Sequence, residues 1–195
     1  ANWTNVSFIG CSLEGEFPVL TQEMDQLLIN DNAFTGTLPN FPSTAVLNLS
    51  VRDNQFSGTF PSLVALIDNI SIVNNSFSGT FPNLAINPAV LNFQYDLSNN
   101  ALTALEDGLS NCFIAELSAI QLGSNELDTT NVDLFLQRCD EAYGDGTGGT
   151  VLPIQDLSID MRFGSPGNDA PTDGTRRTSI QATYTAAGFT ANISY

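Results

Sequence analysis

The chain has no histidine and no lysine among its 195 residues, and only three cysteines and one tryptophan. Its five bases are all arginines: Arg52, Arg138, Arg162, Arg176 and Arg177. Each absence removes chemistry. Without histidine there is no Ser-His-Asp or Cys-His catalysis and no imidazole metal site. Without lysine there is no Schiff base and no Walker-type phosphate loop. Charged residues make up 13% and are one-sided, 21 acidic against 5 basic, for a net charge of −16. Such a surface repels phosphate backbones and anionic headgroups, which argues against nucleic-acid binding and electrostatic membrane attachment. No apolar run approaches the roughly 18–20 residues that a membrane-crossing helix needs, so no membrane insertion is expected. What remains open to an enzyme is carboxylate chemistry. No pair of acids stands out for it, and neither catalysis nor a cofactor is expected.

What is present is enough to fold. The hydrophobic fraction is 42%, and the length suits one domain with a sizeable core. The chain opens at Ala1 with neither an initiator Met nor a signal-like segment, and reads as a mature or trimmed product. Sequons for N-glycosylation stand at Asn2, Asn5, Asn48, Asn69, Asn74 and Asn192, a mild excess over chance for this composition.

A repeat organises the first two thirds. Val6-Ser-Phe-Ile-Gly-Cys11-Ser-Leu13-Glu-Gly15-Glu-Phe-Pro18 is followed by Leu27-Leu-Ile-Asn-Asp-Asn32-Ala-Phe34-Thr-Gly36-Thr-Leu-Pro39. Then come Leu49-Ser-Val-Arg-Asp-Asn54-Gln-Phe56-Ser-Gly58-Thr-Phe-Pro61 and Ile70-Ser-Ile-Val-Asn-Asn75-Ser-Phe77-Ser-Gly79-Thr-Phe-Pro82. Two looser copies centre on Asn100 and Asn125. The frame positions Cys11, Asn32, Asn54, Asn75, Asn100 and Asn125 are spaced by 21, 22, 21, 25 and 25 residues. The alternation at Leu27/Ile29, Leu49/Val51 and Ile70/Ile72 predicts one short strand per coil with one face inward. Phe34, Phe56 and Phe77 share a slot and should stack as an aromatic spine. Each frame asparagine should satisfy backbone groups of the turn leaving its strand and of the neighbouring coil. Cys11 fills the same slot as a buried thiol.

Over residues 3–127 this pattern resembles the leucine-rich repeat family, L-x-L-x-x-N/C-x-L, with a plant-type F-S-G-T-F-P continuation. The resemblance implies an α/β solenoid, right-handed, of about seven coils. Short parallel strands would form the concave face, the convex side would be mostly irregular, and helices would enter in the C-terminal coils. Residues 1–127 would be the regular repeats and 128–195 longer terminal repeats of the same continuous domain. A helix is expected to start at Thr129-Thr130-Asn131, capped by Thr or Asn, with Val132, Phe135, Leu136 and Cys139 on one stripe. A strand is expected at 155–161, a helix at about Arg176–Ala187, and a last strand at 188–195. That tail resembles the long terminal repeats of bacterial and phage leucine-rich proteins.

Terminal coils of secreted leucine-rich proteins are often stapled, which implies a Cys112–Cys139 disulfide, the alternative being two buried thiols. The cysteine pair that closes the N-terminal end in plant-type relatives is absent beside Trp3-Thr-Asn-Val6. Ligands of the family usually bind the concave sheet. Here its outward residues would be Ser7, Ile9, Leu28, Asn30, Ser50, Arg52, Ser71, Val73, Asp96, Ser98, Gln121, Ser158 and Asp160, too small and polar for a strong peptide groove. Thr37, Thr59 and Thr80 form a column that could match ice or a polysaccharide. Asp140, Glu141 and Asp145, and Asn168, Asp169 and Asp173, lie near glycine-rich loops but lack EF-hand spacing. Asn48 and Asn69 each stand just before a strand, so sugars there would line one edge of the sheet.

The functional expectation is a non-catalytic, secreted, glycosylated scaffold that assembles end to end into fibrils. Its partners would be copies of itself, joined head to tail. The entry strand with Val6, Phe8 and Ile9, and the exit strand with Phe189, Ala191, Ile193 and Tyr195, would be the assembly edges. The alternative is a monomeric module that recognises glycans, another extracellular protein or an ice surface.

Overall fold

The computed structural model describes residues 5–42, 48–63, 67–85, 93–114, 117–143, 157–161, 168, 170–172, 175–186 and 190–194. In chain order the first elements are β1 (Asn5–Ser7), β2 (Glu14–Glu16), β3 (Gln26–Leu28), β4 (Ala33–Gly36), β5 (Asn48–Ser50), β6 (Gln55–Gly58), β7 (Asn69–Ser71) and β8 (Ser76–Phe81). β9 (Phe93–Asp96) and β10 (Ala101–Leu105) lead into a 3₁₀ segment (Glu106–Ile114) and β11 (Leu117–Gln121). Helix α1 (Thr129–Tyr143), β12 (Leu157–Asp160), α2 (Thr175–Ala186) and β13 (Ala191–Ser194) complete the chain.

Two parallel sheets enclose the core. One has eight strands in the order β1-β3-β5-β7-β9-β11-β12-β13, the other five in the order β10-β8-β6-β4-β2. The molecule is a solenoid of parallel strands. Its regular two-sheet part, five strand pairs from β1–β2 to β9–β10, makes about four turns rather than the seven coils expected. Its second side is also a sheet, not mostly irregular chain. The reason lies in the Phe-Ser/Thr-Gly-Thr stretch, which is extended enough to pair with its copies one coil away. Beyond Leu102 that stretch is missing from the sequence. The second sheet stops at β10, and α1 and α2 take over its side while the longer sheet continues through β11, β12 and β13.

The inward side chains form one continuous core. Phe34, Phe56 and Phe77 stack with centroids 6.1 Å apart at each step and rings within 16° of parallel. Phe17 closes the N-terminal end of this spine edge-on, 5.2 Å from Phe34. Between strand and frame position each coil turns sharply through a left-handed residue. Gly10, Asp31, Asp53, Asn74, Asn99 and Ser124 all have φ between 54° and 63°. Glycine, asparagine and aspartate tolerate that region best, which accounts for most of the column's composition.

The capping of α1 differs from expectation. Asp128, not Thr or Asn, is the cap: its carboxylate accepts from the Asn131 backbone N–H at 2.8 Å and from the Asn131 amide at 2.8 Å. The stripe Val132, Phe135, Leu136 and Cys139 is wholly buried. The 3₁₀ segment is kinked by left-handed Asp107, Gly108 and Leu109, and it packs tightly on α1. A Cβ at Gly108 would lie 3.0 Å from the Leu134 carbonyl oxygen. Arg138 of α1 reaches back to the Asp107 carboxylate at 2.6 Å and also pairs with Glu141 at 2.9 Å.

Hydrogen bonds from Ser110 and then Arg138 hold the Asp107 carboxyl below its usual range, and bonds from Asn131 do the same for Asp128. Both folded-state values lie below the unfolded ones. The stabilisation is therefore present above the ordinary carboxylate pKa of about 4 and is lost as pH falls through the folded values. As pH is lowered from about 5 to about 3, amides of α1 should exchange with solvent faster relative to those of β3, β5 and β7. Exchange mapped by mass spectrometry checks this, and uniform acceleration along the solenoid would contradict it.

Candidate functional site: face and edges of the longer sheet

Three unbroken rows run across all eight strands. The inner row is Val6, Leu27, Leu49, Ile70, Tyr95, Ile120, Ile159 and Ile193. One outer row is Asn5, Gln26, Asn48, Asn69, Gln94, Ala119, Ser158 and Asn192, and the other is Ser7, Leu28, Ser50, Ser71, Asp96, Gln121, Asp160 and Ser194. Alternation along the strand sends the middle residue into the core and its two neighbours to the face. The face is thus a row with amides at six of its eight positions beside a row of hydroxyls and carboxylates interrupted by Leu28 and Gln121. Asn48, Ser50, Asn69, Ser71, Gln94 and Asp96 line a shallow groove of about 530 Å³ there.

This placement revises the reading of the sequons. Asn48 and Asn69 do not precede strands but open β5 and β7, directly opposite each other. Sugars on them would stand on the face, inside the groove, rather than along an edge. Asn5 and Asn192 belong to the same row and are exposed. Asn74 sits instead in the left-handed turn column, where it donates to Asp53 at 2.6 Å and accepts from Asn99 at 2.8 Å. Asn2 lies outside the described residues. Asn30, expected to face outward, is buried because its Oδ1 accepts from the Ser50 hydroxyl at 2.8 Å and the Arg52 N–H at 3.2 Å.

The frame ladder is built from the expected asparagines. Asn32, Asn54, Asn75, Asn100 and Asn125 each donate to a carbonyl of the preceding coil, from Phe8, Ile29, Val51, Ile72 and Leu97 respectively. Each also accepts from a backbone N–H of that coil. A further rung is Asn168, which had been grouped with acidic loop residues. It is buried, accepts from the Leu127 N–H at 3.2 Å and donates to the carbonyls of Leu122 and Met161. It stands 43 residues after Asn125, two coil lengths away, so the repeat spacing concealed it. Cys11 is exposed rather than buried. It occupies the first coil, with no preceding coil among the described residues for a frame side chain to reach.

The expected Cys112–Cys139 bridge is not formed among the described residues: Cys139 is a free thiol, and the side chain of Cys112 lies outside them. Burial pushes the Cys139 thiol far above its ordinary pKa, which leaves it protonated and unreactive. Thr37, Thr59 and Thr80 are all exposed. The methyl groups of Thr37 and Thr59 sit 3.1 and 3.3 Å from where a Cβ would be on Gly58 and Gly79 of the next coil. They close the space those glycines leave. No group of three potential ligand side chains is placed to hold a metal among the described residues, and Asp145, Asp169 and Asp173 lie outside them. Among the described residues no helix is long and apolar enough to cross a membrane.

The ends of the longer sheet differ from its middle. Among the described residues β1 and β13 each have a neighbouring strand on one side only. Val6, Ala191 and Ile193 are buried, and their flanking Asn and Ser side chains are exposed. Phe189 and Tyr195 lie outside the described residues. Among the described residues, the four large hydrophobic side chains that are well exposed, Phe8 (41%), Ile9 (49%), Leu13 (36%) and Val19 (73%), all fall on the first coil. The first coil also carries Glu14, Glu16, Glu23 and Asp25 and no base over residues 5–25, whereas α2, packed on β13, carries Arg176 and Arg177 and no acid. The first end is acidic, while over residues 157–194 three acids and three arginines balance.

Compared with protein-family models, with curated proteins and with solved structures, the chain matches none.

Proposed function

We propose that the chain is a non-catalytic leucine-rich-repeat scaffold that acts outside the cell and assembles end to end into a fibril. One observation carries the reading: among the described residues the longer sheet has two uncovered edges of the same polarity, β1 and β13, at opposite ends of one molecule. Neither strand contains a proline or a charge, the usual devices that stop edge pairing. Two different complementary edges make a heterologous contact, which propagates unless its rotation closes a ring. Exposed Phe8, Ile9, Leu13 and Val19 on one end supply apolar surface to bury, and an acidic first coil favours meeting the neutral, arginine-bearing end over meeting another acidic one. The overall charge of −16 keeps fibrils apart laterally. A glycan at the exposed Asn74 belongs to the same reading, whereas sugars at Asn5 and Asn192 would stand on the joining edges. At Asn5, Asn48, Asn69 and Asn192, however, Asn-aliphatic-Ser is also the strand pattern itself.

Electron microscopy and sedimentation of the full chain test the proposal. Unbranched fibrils are expected, and the double variant Asn5→Lys, Ser7→Lys should remove them with an unchanged far-UV circular dichroism spectrum, since both positions are exposed. Uniform monomers of the unaltered chain at high concentration would overturn it. A second reading, recognition of a neutral polysaccharide, is favoured by the amides and hydroxyls that, with the single carboxylate of Asp96, line the groove. It is the better one if a soluble glycan raises the melting temperature of the monomer.

A further inference from the structure

We infer that the fibril joint is an eighth parallel pairing of the same sheet, in a single register: Asn192 opposite Asn5, Ile193 opposite Val6 and Ser194 opposite Ser7. The inference rests on the assembly reading above and adds to it the surface and the alignment. Its template lies inside the molecule. β5 is Asn48-Leu49-Ser50 and β7 is Asn69-Ile70-Ser71, paired Asn to Asn, aliphatic to aliphatic and Ser to Ser. The two edges carry the same tripeptide, Asn192-Ile193-Ser194 on one and Asn5-Val6-Ser7 on the other. A joint in this register repeats the β5–β7 contact with one methylene exchanged.

Three observations narrow the alternatives. Val6 is held inward by its own chain, so a slip by one residue would set it beside the outward Asn192 or Ser194 and put the pleats of the two edges out of step. A slip by two would break all three rows, which hold from Val6 to Ile193 through seven successive pairings. The backbone agrees. In each coil the residue after the strand donates to the carbonyl of the next coil's second outer row: Phe8 to Leu28, Ile29 to Ser50, Val51 to Ser71, Ile72 to Asp96, Leu97 to Gln121, Leu122 to Asp160 and Met161 to Ser194. Ser7 holds that acceptor position in the first coil, and the described residues contain no coil in front of it. A second copy supplies one.

The other sheet is guarded at the same end. Its edge strand β2 is Glu14-Gly15-Glu16, with both carboxylates exposed, so a copy pairing there would meet two charges. At its far end the 3₁₀ segment and α1 follow β10. Joining is therefore left to the longer sheet.

The test uses the full chain with Cys11→Ser, which removes the exposed native thiol. Two in-register pairs are made in that background, Asn5→Cys with Asn192→Cys and Ser7→Cys with Ser194→Cys, together with the offset pair Asn5→Cys with Ser194→Cys. Adjacent parallel strands place in-register Cα atoms about 4.8 Å apart, within disulfide reach, and a two-residue offset puts them about 8 Å apart, beyond it. Mild oxidation of assembled material should give a ladder of covalent oligomers on denaturing gels from both in-register pairs. The offset pair and the Cys11→Ser parent should give none. Fibrils whose ladder comes from the offset pair, or from no pair, would overturn the register and leave the assembly reading standing. A parent that remains monomeric would overturn both.

Discussion

Replacing Asn54 by alanine should destabilise the fold by about 2–4 kcal/mol, a large effect for the loss of one polar side chain. Asn54 is 8% exposed. Its amide donates to the carbonyls of Ile29, Val51 and Arg52 at 2.7–3.1 Å, and its oxygen accepts from the Phe34 N–H at 3.2 Å. Alanine removes the donor to three carbonyls and the acceptor for a buried N–H. The carbonyls of Ile29 and Val51 are partly rescued, because Asn32 and Asn75 also donate to them. The Phe34 N–H loses its side-chain acceptor, and an unpaired buried donor costs about 1–3 kcal/mol by itself. Asn54→Asp should be at least as harmful, since a carboxylate keeps the acceptor and sets a charge against three carbonyls. Asn32→Ala should cost less, because its bonds to Cys11, Leu13 and Phe8 are exposed. Chemical denaturation of the three variants measures the order. A loss below about 0.5 kcal/mol for Asn54→Ala would mean that the ladder is decorative.

The ladder was also the most legible feature of the sequence. A side chain recurring every 21–25 residues is easily seen, and an amide is one of few groups that can donate and accept within a single turn. The Phe34, Phe56 and Phe77 spine was legible for the same reason. What escaped notice was whatever the repeat spacing did not mark. Asn168 looks like a loop residue because a long excursion separates it from Asn125. The amide row was missed because Gln26 and Gln94 differ from asparagine in type, though not in register. The second sheet was missed because its strands hold glycines, Gly36, Gly58 and Gly79, which read as turns. Their φ values of 74–75° are turn-like, yet the chain stays extended enough on either side to pair.

The sequons show how one tripeptide carries two readings. Asn-aliphatic-Ser is an enzyme's recognition sequence, but it is equally a polar-inward-polar strand for this solenoid. Sequence alone cannot separate them, because both depend on the same three side chains. Position can. Asn48 and Asn69 face each other across one groove, about a strand spacing apart, where two branched sugars would collide. Asn5 and Asn192 lie at opposite ends of one molecule, but the proposed joint sets them opposite each other in the same way, so sugars on both would block it. Of the described sequons, the exposed Asn74 in the turn column is the one a glycan could occupy without meeting the sheet face.

The largest expected effect belongs to Phe56, and its form follows from the architecture. Phe56 is fully buried between Phe34 and Phe77, stacked on both at 6.1 Å, with Phe17 edge-on at 6.5 Å. Phe56→Ala should cost about 3–5 kcal/mol through lost burial and the cavity left behind. In a globular core such a loss lowers the stability of the whole. In a solenoid each coil touches only its neighbours, so stability is a sum of coil and interface contributions, and weakening one interface uncouples the parts on either side. The coils before Phe56 are the weaker part, with exposed Phe8, Ile9, Leu13 and Val19 and an exposed Cys11 in the first frame slot. The coils after it are buttressed by α1 and α2. Hydrogen exchange of the variant should therefore show β1 to β4 opening separately, with β9, β11 and β12 near their original protection. Phe77→Ala should move the break one coil on, taking β5 and β6 into the labile part. A single cooperative loss of protection from β1 to β13 in both variants would show that the two sheets couple the coils over longer distances than nearest neighbours.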